Sequence, residues 1–210
     1  YGGWRYEPQR ESDTSVTGWQ LMALKSAEMA GLDVPRPVLE KVAHWLDLAQ
    51  AEGGARYMYN PHAGETPSQL HGRLPNRAMT AEGLLMRIYL GWDHQHPPLV
   101  QGSTFLRGQL PDFGTPQNRL RDAYYWYYAT QVMFQMQGDY WRDWNARIRP
   151  LLLESQIREG DLAGSWDPRQ PIPDRWAEQA GRLYVTAVHT LILEVYYRHL
   201  PLFKSLAERP

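Results

Sequence analysis

Two kinds of apolar segment alternate along the chain. In the first kind the hydrophobic residues run all the way round a helix. Val16, Trp19, Leu21, Met22, Ala23 and Leu24 leave no polar face over residues 15–30, and neither do Leu183, Val185, Val188, Leu191, Ile192, Leu193 and Val195 over residues 182–198. Residues 80–89 and 122–137 share that character. Such a helix must be covered on every side or face a protected cavity. In the second kind one stripe alone is apolar. Val38, Leu39, Val42, Trp45, Leu46 and Ala49 recur at helical spacing, with Glu40, Lys41, His44, Asp47 and Gln50 opposite. That is a surface helix, and residues 99–109 and 140–156 follow the same rule. Residues 202–207 are the candidate for a fourth, short one.

Punctuation agrees with this alternation. Asp13 or Thr14 caps the first segment, and Thr80, with Glu82 nearby, starts the third. Pro35 and Pro37, then Pro97 and Pro98, stand where surface helices begin, and Gly31, Gly91 and Gly138 end the apolar ones. Strand signal is confined to a short extended piece at residues 56–60. A phrase of aromatics and proline precedes each apolar helix: Trp4-Arg-Tyr-Glu-Pro8, Tyr57-Met-Tyr-Asn-Pro61, Phe113-Gly-Thr-Pro116 and Trp166-Asp-Pro168. The repeating unit is therefore an aromatic turn, an inner helix, a short link and an outer helix. The fold class this implies is all-α. About four hairpins in two concentric layers make a partial α/α toroid, a single domain over residues 1–210 that reads as the C-terminal part of a longer chain. Trp4 and Trp166 are expected buried at the joints between hairpins.

Composition narrows the chemistry. A net charge of −1 argues against a nucleic-acid partner bound by phosphate neutralisation. With no Cys there is no disulfide framework, thiolate zinc site, Cys nucleophile or internal thioester. No apolar run is long enough to span a bilayer, and nothing in the composition assigns a compartment. No phosphate-cradling glycine loop or nucleophile elbow is present, so no cofactor is expected. Asp93-His94-Gln95-His96 holds three possible ligands, but just before Pro97-Pro98 it reads as an exposed turn that starts a helix, and no metal is expected there or at His62 and His71.

Gly2-Gly3-Trp4 and Gly164-Ser165-Trp166 resemble the Gly-x-Trp ending of the repeat in squalene-hopene cyclases and their relatives. Leu152, Gln156, Gly164 and Trp166 resemble its Leu-x3-Gln…Gly-x-Trp pattern, with a slightly long gap, and Met79-Thr80-Ala81-Glu82 resembles the start of an inner helix in that group. The chain thus resembles a bacterial prenyltransferase/squalene-cyclase-repeat protein of the terpenoid cyclase superfamily. That resemblance implies the α/α toroid. It departs from the family's chemistry, because there is no Asp-x-Asp-Asp run for cyclisation and no Cys for the prenyltransferase zinc or the complement-like thioester.

The candidate site residues are Asp13, Glu82, Tyr124, Tyr127, Tyr128, Tyr184 and His189. Asp13 is a general acid or an N-cap, and a cap favours the ionised form, the wrong direction for an acid. The run Tyr124, Tyr125, Trp126, Tyr127, Tyr128 points in every direction round a helix, so part of it packs and part faces the interior, where rings stabilise cations or stack on sugars. Glu82 and His189 are ionisable groups in apolar helices that need partners. The expected function is a non-catalytic scaffold or binding module for a protein, peptide or apolar small molecule. Two alternatives stay open: a terpenoid cyclase-like enzyme whose acid lies outside this piece, and a carbohydrate-active α/α toroid.

Overall fold

The computed structural model describes residues 2–198, which gather into two compact units divided between Phe105 and Leu106. The expected residues 202–207 helix lies outside the described residues. The protein is predominantly helical, and its only sheet among the described residues is a hairpin of two two-residue strands.

The first unit opens with α1 (Thr14–Met29) and α2 (Arg36–Ala49). The hairpin β1 (Gln50–Ala51) and β2 (Arg56–Tyr57) follows, pairing Gln50 with Tyr57 where the sequence shows its one extended piece. Next come α3 (Pro67–Gly72), α4 (Arg77–Tyr89) and α5 (Pro97–Arg107). The short α3 is not foreseen by periodicity. It forms in the polar loop because Pro67 presets its first turn and Gln69 Oε1 accepts from the Thr66 hydroxyl. Helix α4 starts three residues before Thr80, because Asn76 is the cap and its Oδ1 accepts the Met79 N–H at 2.9 Å. As expected, Asp13 caps α1, accepting the Val16 N–H at 2.8 Å.

The second unit holds α6 (Ala123–Met136), α7 (Gly138–Ser155), α8 (Ala177–Leu193) and α9 (Val195–Arg198). Asp122 caps α6 through the Tyr125 N–H. Helix α8 is interrupted at Gly181, whose φ of 66° and ψ of −164° only glycine takes easily, so the regular helix starts at Arg182 as its apolar pattern requires.

One device ties three of the four aromatic turns to apolar helices that follow them in the chain. The backbone N–H of the turn's aromatic residue donates to a threonine hydroxyl one or two turns into the helix. The pairs are Trp4 to Thr17 at 2.9 Å, Tyr57 to Thr80 at 3.3 Å and Trp166 to Thr186 at 3.2 Å. In the remaining inner helix Thr130 instead accepts the Trp144 indole N–H at 2.9 Å. The turn around Trp166 is closed further by its own residues. Trp166 Nε1 donates to the Leu152 carbonyl at 2.8 Å, and Gln156 Nε2 to the Gly164 carbonyl at 2.9 Å. Trp166 is buried between α7 and α8, as expected, whereas Trp4 is only half-buried.

The inner helices are not all covered. Every residue of α4 from Met79 to Ile88 is buried, and nearly all of α6. By contrast α1 exposes Trp19 and Ala23, and α8 exposes Leu183 and Ala187. Within their units α1 packs on α2 and α4, and α8 on α6 and α9, which leaves those stripes uncovered. The α1–α4 contact is close because Gly18 has no side chain: a Cβ there would stand 2.1 Å from Glu82 Oε1.

Candidate functional site

In the first unit the candidate residues are Asp13 and Glu82. Asp13 is fully buried, and each of its oxygens meets two donors. Oδ1 accepts from the Val16 N–H at 2.8 Å and the Ser15 hydroxyl at 2.7 Å. Oδ2 accepts from the Tyr59 hydroxyl at 3.0 Å and lies 3.4 Å from Arg5 Nε. Three hydrogen bonds and the Arg5 charge thus engage both oxygens. Burial and this neighbouring charge push the Tyr59 phenol up. Glu82 sits fully buried in α4 with its carboxylate against Gly18 of α1. A shallow cleft of ≈ 320 Å³ lies beside the turn, lined by Arg5, Tyr6, Glu7, Arg10 and Glu11, whose charges are paired Arg5 with Glu11 and Arg10 with Glu7.

In the second unit the start of the apolar helices is built differently. The aromatic run divides as its helical geometry demands. Tyr125 packs edge-on against Trp144 and bonds the Gln109 carbonyl, Tyr127 and Tyr128 pack against each other, and half-buried Tyr124 packs on Tyr128. Trp126, not one of the tyrosines, faces the other inner helix: its ring stacks on His189 of α8 at 6.0 Å, and Trp166 meets His189 edge-on at 5.3 Å. His189 is fully buried, and neither ring nitrogen has a partner among the described residues. Burial, reinforced by the charge of Arg121, pushes its pKa down to about 3, so the imidazole is neutral.

Three residues that sequence reasoning did not single out as site residues complete the cluster: Arg121, Asp122 and Asp174. Arg121 is 2% exposed. Its Nη1 donates to the Gln170 and Ile172 carbonyls at 2.7 and 3.0 Å, while Nε and Nη2 have no partner. Asp174 accepts the Ala123 and Trp176 N–H groups, and burial, with Asp122 adding to it, lifts its pKa. Asp122 Oδ2 lies 3.7 Å from Arg175. Burial and the charges of Asp174 and Asp122 push the Tyr184 phenol up, and its hydroxyl is sealed without a partner. The available signal is positional for Arg121-Asp122, the charges immediately before the apolar helix α6, while Asp174-Arg175 stand several residues ahead of the apolar part of α8 and carry no such signal.

No family model, curated protein or solved structure matches this chain. What the site can do therefore follows from its own geometry. The unpartnered atoms of the second unit are mostly donors: two guanidinium nitrogens, the Trp126 indole N–H, the Tyr184 hydroxyl and the imidazole. The same unit holds a cleft of ≈ 480 Å³ lined by Asp167, Pro168, Arg169, Gln170, Ala177, Glu178, Gly181 and Arg182. Two ion pairs frame that cleft, Arg182 with Asp167 at 3.0 Å and Arg169 with Glu178 at 3.1 Å. The turn at Asp93 is exposed and starts α5, with Asp93 Oδ1 accepting the Gln95 N–H. No helix of the described residues is long and apolar enough to cross a membrane.

Proposed function

We propose that this chain is a non-catalytic binding module, a partial α/α toroid of the kind that squalene-cyclase-type repeats build, with its ligand site in the second unit. The observation that carries this reading is the state of Asp13. A carboxylate that accepts from Val16, Ser15 and Tyr59 and faces the charge of Arg5 is engaged in holding the start of α1 in place. An acid that starts a carbocation must instead present a proton to an alkene. Two features support the repeat reading: the recurrent bond from aromatic turn to threonine, and the closure of Leu152, Gln156, Gly164 and Trp166 on one another.

The test is incubation of the purified protein with squalene and with its epoxide, followed by mass spectrometry. No cyclised product is expected. Product that disappears in Asp13→Asn would overturn the reading and make Asp13 the acid of a terpenoid cyclase.

A further inference from the structure

We infer that His189 is an acid-operated release built into the second unit: taking up a proton, it drives α8 to swing about Gly181 away from α6, while the first unit stays closed. This goes beyond the binding-module reading and does not depend on it.

His189 is the side chain on which three elements close. It is fully buried on α8, stacked on Trp126 of α6 at 6.0 Å and met edge-on by Trp166 at 5.3 Å. Thr186, one turn earlier on the same face of α8, accepts the Trp166 backbone N–H at 3.2 Å. Trp166 is itself fixed to α7, because its indole N–H donates to the Leu152 carbonyl. Neither imidazole nitrogen has a hydrogen-bond partner among the described residues, so a proton placed there is a buried charge with no acceptor. The charged groups on the elements packed around it do not help. Arg121 repels a second cation, Asp122 caps α6 and faces Arg175, Asp167 pairs with Arg182, and Asp174 accepts the Ala123 and Trp176 N–H groups.

Burial, with the charge of Arg121, holds the imidazole pKa down to about 3 in the closed unit, whereas a solvated histidine titrates near 6.5. Over that window the proton binds only a form in which His189 has left its seat, and so it selects that form. Selection of this kind is confined to the second unit. The other described histidines, His44, His62, His71, His94 and His96, all lie in the first unit and are exposed or half-buried, so they meet solvent protons without any opening.

Gly181 supplies the pivot. Its φ of 66° and ψ of −164° break α8 there, and no atom stands within 4 Å of where its Cβ would be. The segment ahead of it is pinned to the head of α6. Arg121 donates to the Gln170 and Ile172 carbonyls, Asp174 accepts the Ala123 N–H, and the Arg175 N–H donates to the Arg121 carbonyl. Beyond Gly181 the helix is held by its packing on α6 and by the Trp166 turn, the two contacts that meet at His189.

The test is hydrogen exchange of the 210-residue chain as a function of pH, corrected for the intrinsic pH dependence of amide exchange. Protection of the α8 amides beyond Gly181 should fall by about 50-fold between pH 6.5 and 4.5, close to tenfold per unit at the acid end. Amides of α4 in the first unit should change by less than about threefold over the same range. The Ala123 and Arg175 amides should keep their protection, which places the pivot at Gly181. His189→Leu should abolish the α8 response. Should that variant fail to fold, His189→Gln, polar but without a titrating group, should abolish it as well. The inference is overturned if α8 and α4 lose protection together, if α8 changes by less than about threefold, or if the response persists in either variant. Loss of protection at Ala123 and Arg175 in step with α8 would overturn the pivot. None of these outcomes bears on the binding-module reading, which fails only if cyclised product forms.

Discussion

Each unit places a buried aspartate where an inner helix starts behind an aromatic turn, Asp13 in the first and Asp122 with Asp174 in the second. In the first, the carboxylate accepts from Val16, Ser15 and Tyr59 and faces the charge of Arg5. In the second, backbone N–H groups draw on the aspartates, and Arg121, Trp126, Tyr184 and His189 are left with polar atoms that meet no partner. The carboxylate is thus fully engaged in the first unit, while several side chains around the aspartates of the second have polar atoms without a hydrogen-bond partner among the described residues. The first node is a fastener. The other leaves buried polar groups without the hydrogen bonds that would offset their desolvation.

Substitutions that separate the two nodes begin with the tryptophans. Trp166→Ala removes a ring that is 2% exposed and should destabilise by about 3–5 kcal/mol through the cavity it leaves. Trp4→Ala, at a half-buried copy of the same turn, should cost roughly half of that. Equal effects in urea denaturation would show that the two turns are equivalent and sink the asymmetry. Asp13→Ala comes next. Losing the cap and orphaning the Tyr59 hydroxyl should cost about 2–4 kcal/mol, read as a lowered thermal midpoint. A neutral result would mean that the node is no fastener.

The second node predicts a pH dependence. Unfolded histidine titrates near 6.5, whereas native His189 does so at about 3. Between those values only the unfolded chain takes the proton, so His189 contributes a loss of stability as pH falls through that window. Its share is about 1.4 kcal/mol per pH unit, or roughly 2 kcal/mol between pH 6.5 and 5. Asp174 works with the opposite sign: its raised pKa lets the native state protonate first, so acidification partly offsets the loss. His189→Leu should remove the histidine slope and leave the gain from Asp174. A wild-type slope persisting in that variant would place the sensitive group elsewhere.

Smaller effects test what the units share. Thr17→Val, Thr80→Val and Thr186→Val each strand the N–H of an aromatic turn and should cost about 0.5–1.5 kcal/mol apiece. A null effect at any one would remove that repeat from the pattern. Smallest of all, His189→Leu at neutral pH should be neutral or slightly stabilising, by less than about 1 kcal/mol, because it replaces two unpartnered ring nitrogens with apolar surface.

Much of the helical framework is legible in the chain. The apolar periodicity of residues 15–30 and 122–137 places α1 and α6 to within a residue or two, and Asp13 reads as a cap because a carboxylate before an apolar run has few other uses. Gly31, Gly91 and Gly138 do sit at positive φ after the helices they end. The start of α4 is misread from Thr80 because a threonine near a helix start resembles a cap, while this one serves the Tyr57 N–H from another element. Of the candidate site, His189 and Tyr184 are legible as polar residues on an apolar helix. Arg121 and Asp174 are not, since charges next to a helix end normally face solvent.

By itself, then, the sequence determined most of the local geometry: which long segments are helical, where most of them are capped, and which face of an amphipathic helix is buried. Those properties depend on residues within a turn or two of one another, so spacing along the chain carries them. Only the tertiary structure decided which polar groups meet. Arg121 is 49 residues from the carbonyl of Gln170 that holds it, and Asp174 is 51 from the N–H of Ala123 that it accepts. Whether a donor is satisfied or left open depends on which distant backbone atoms arrive beside it, and that is set by how the helices of a unit pack.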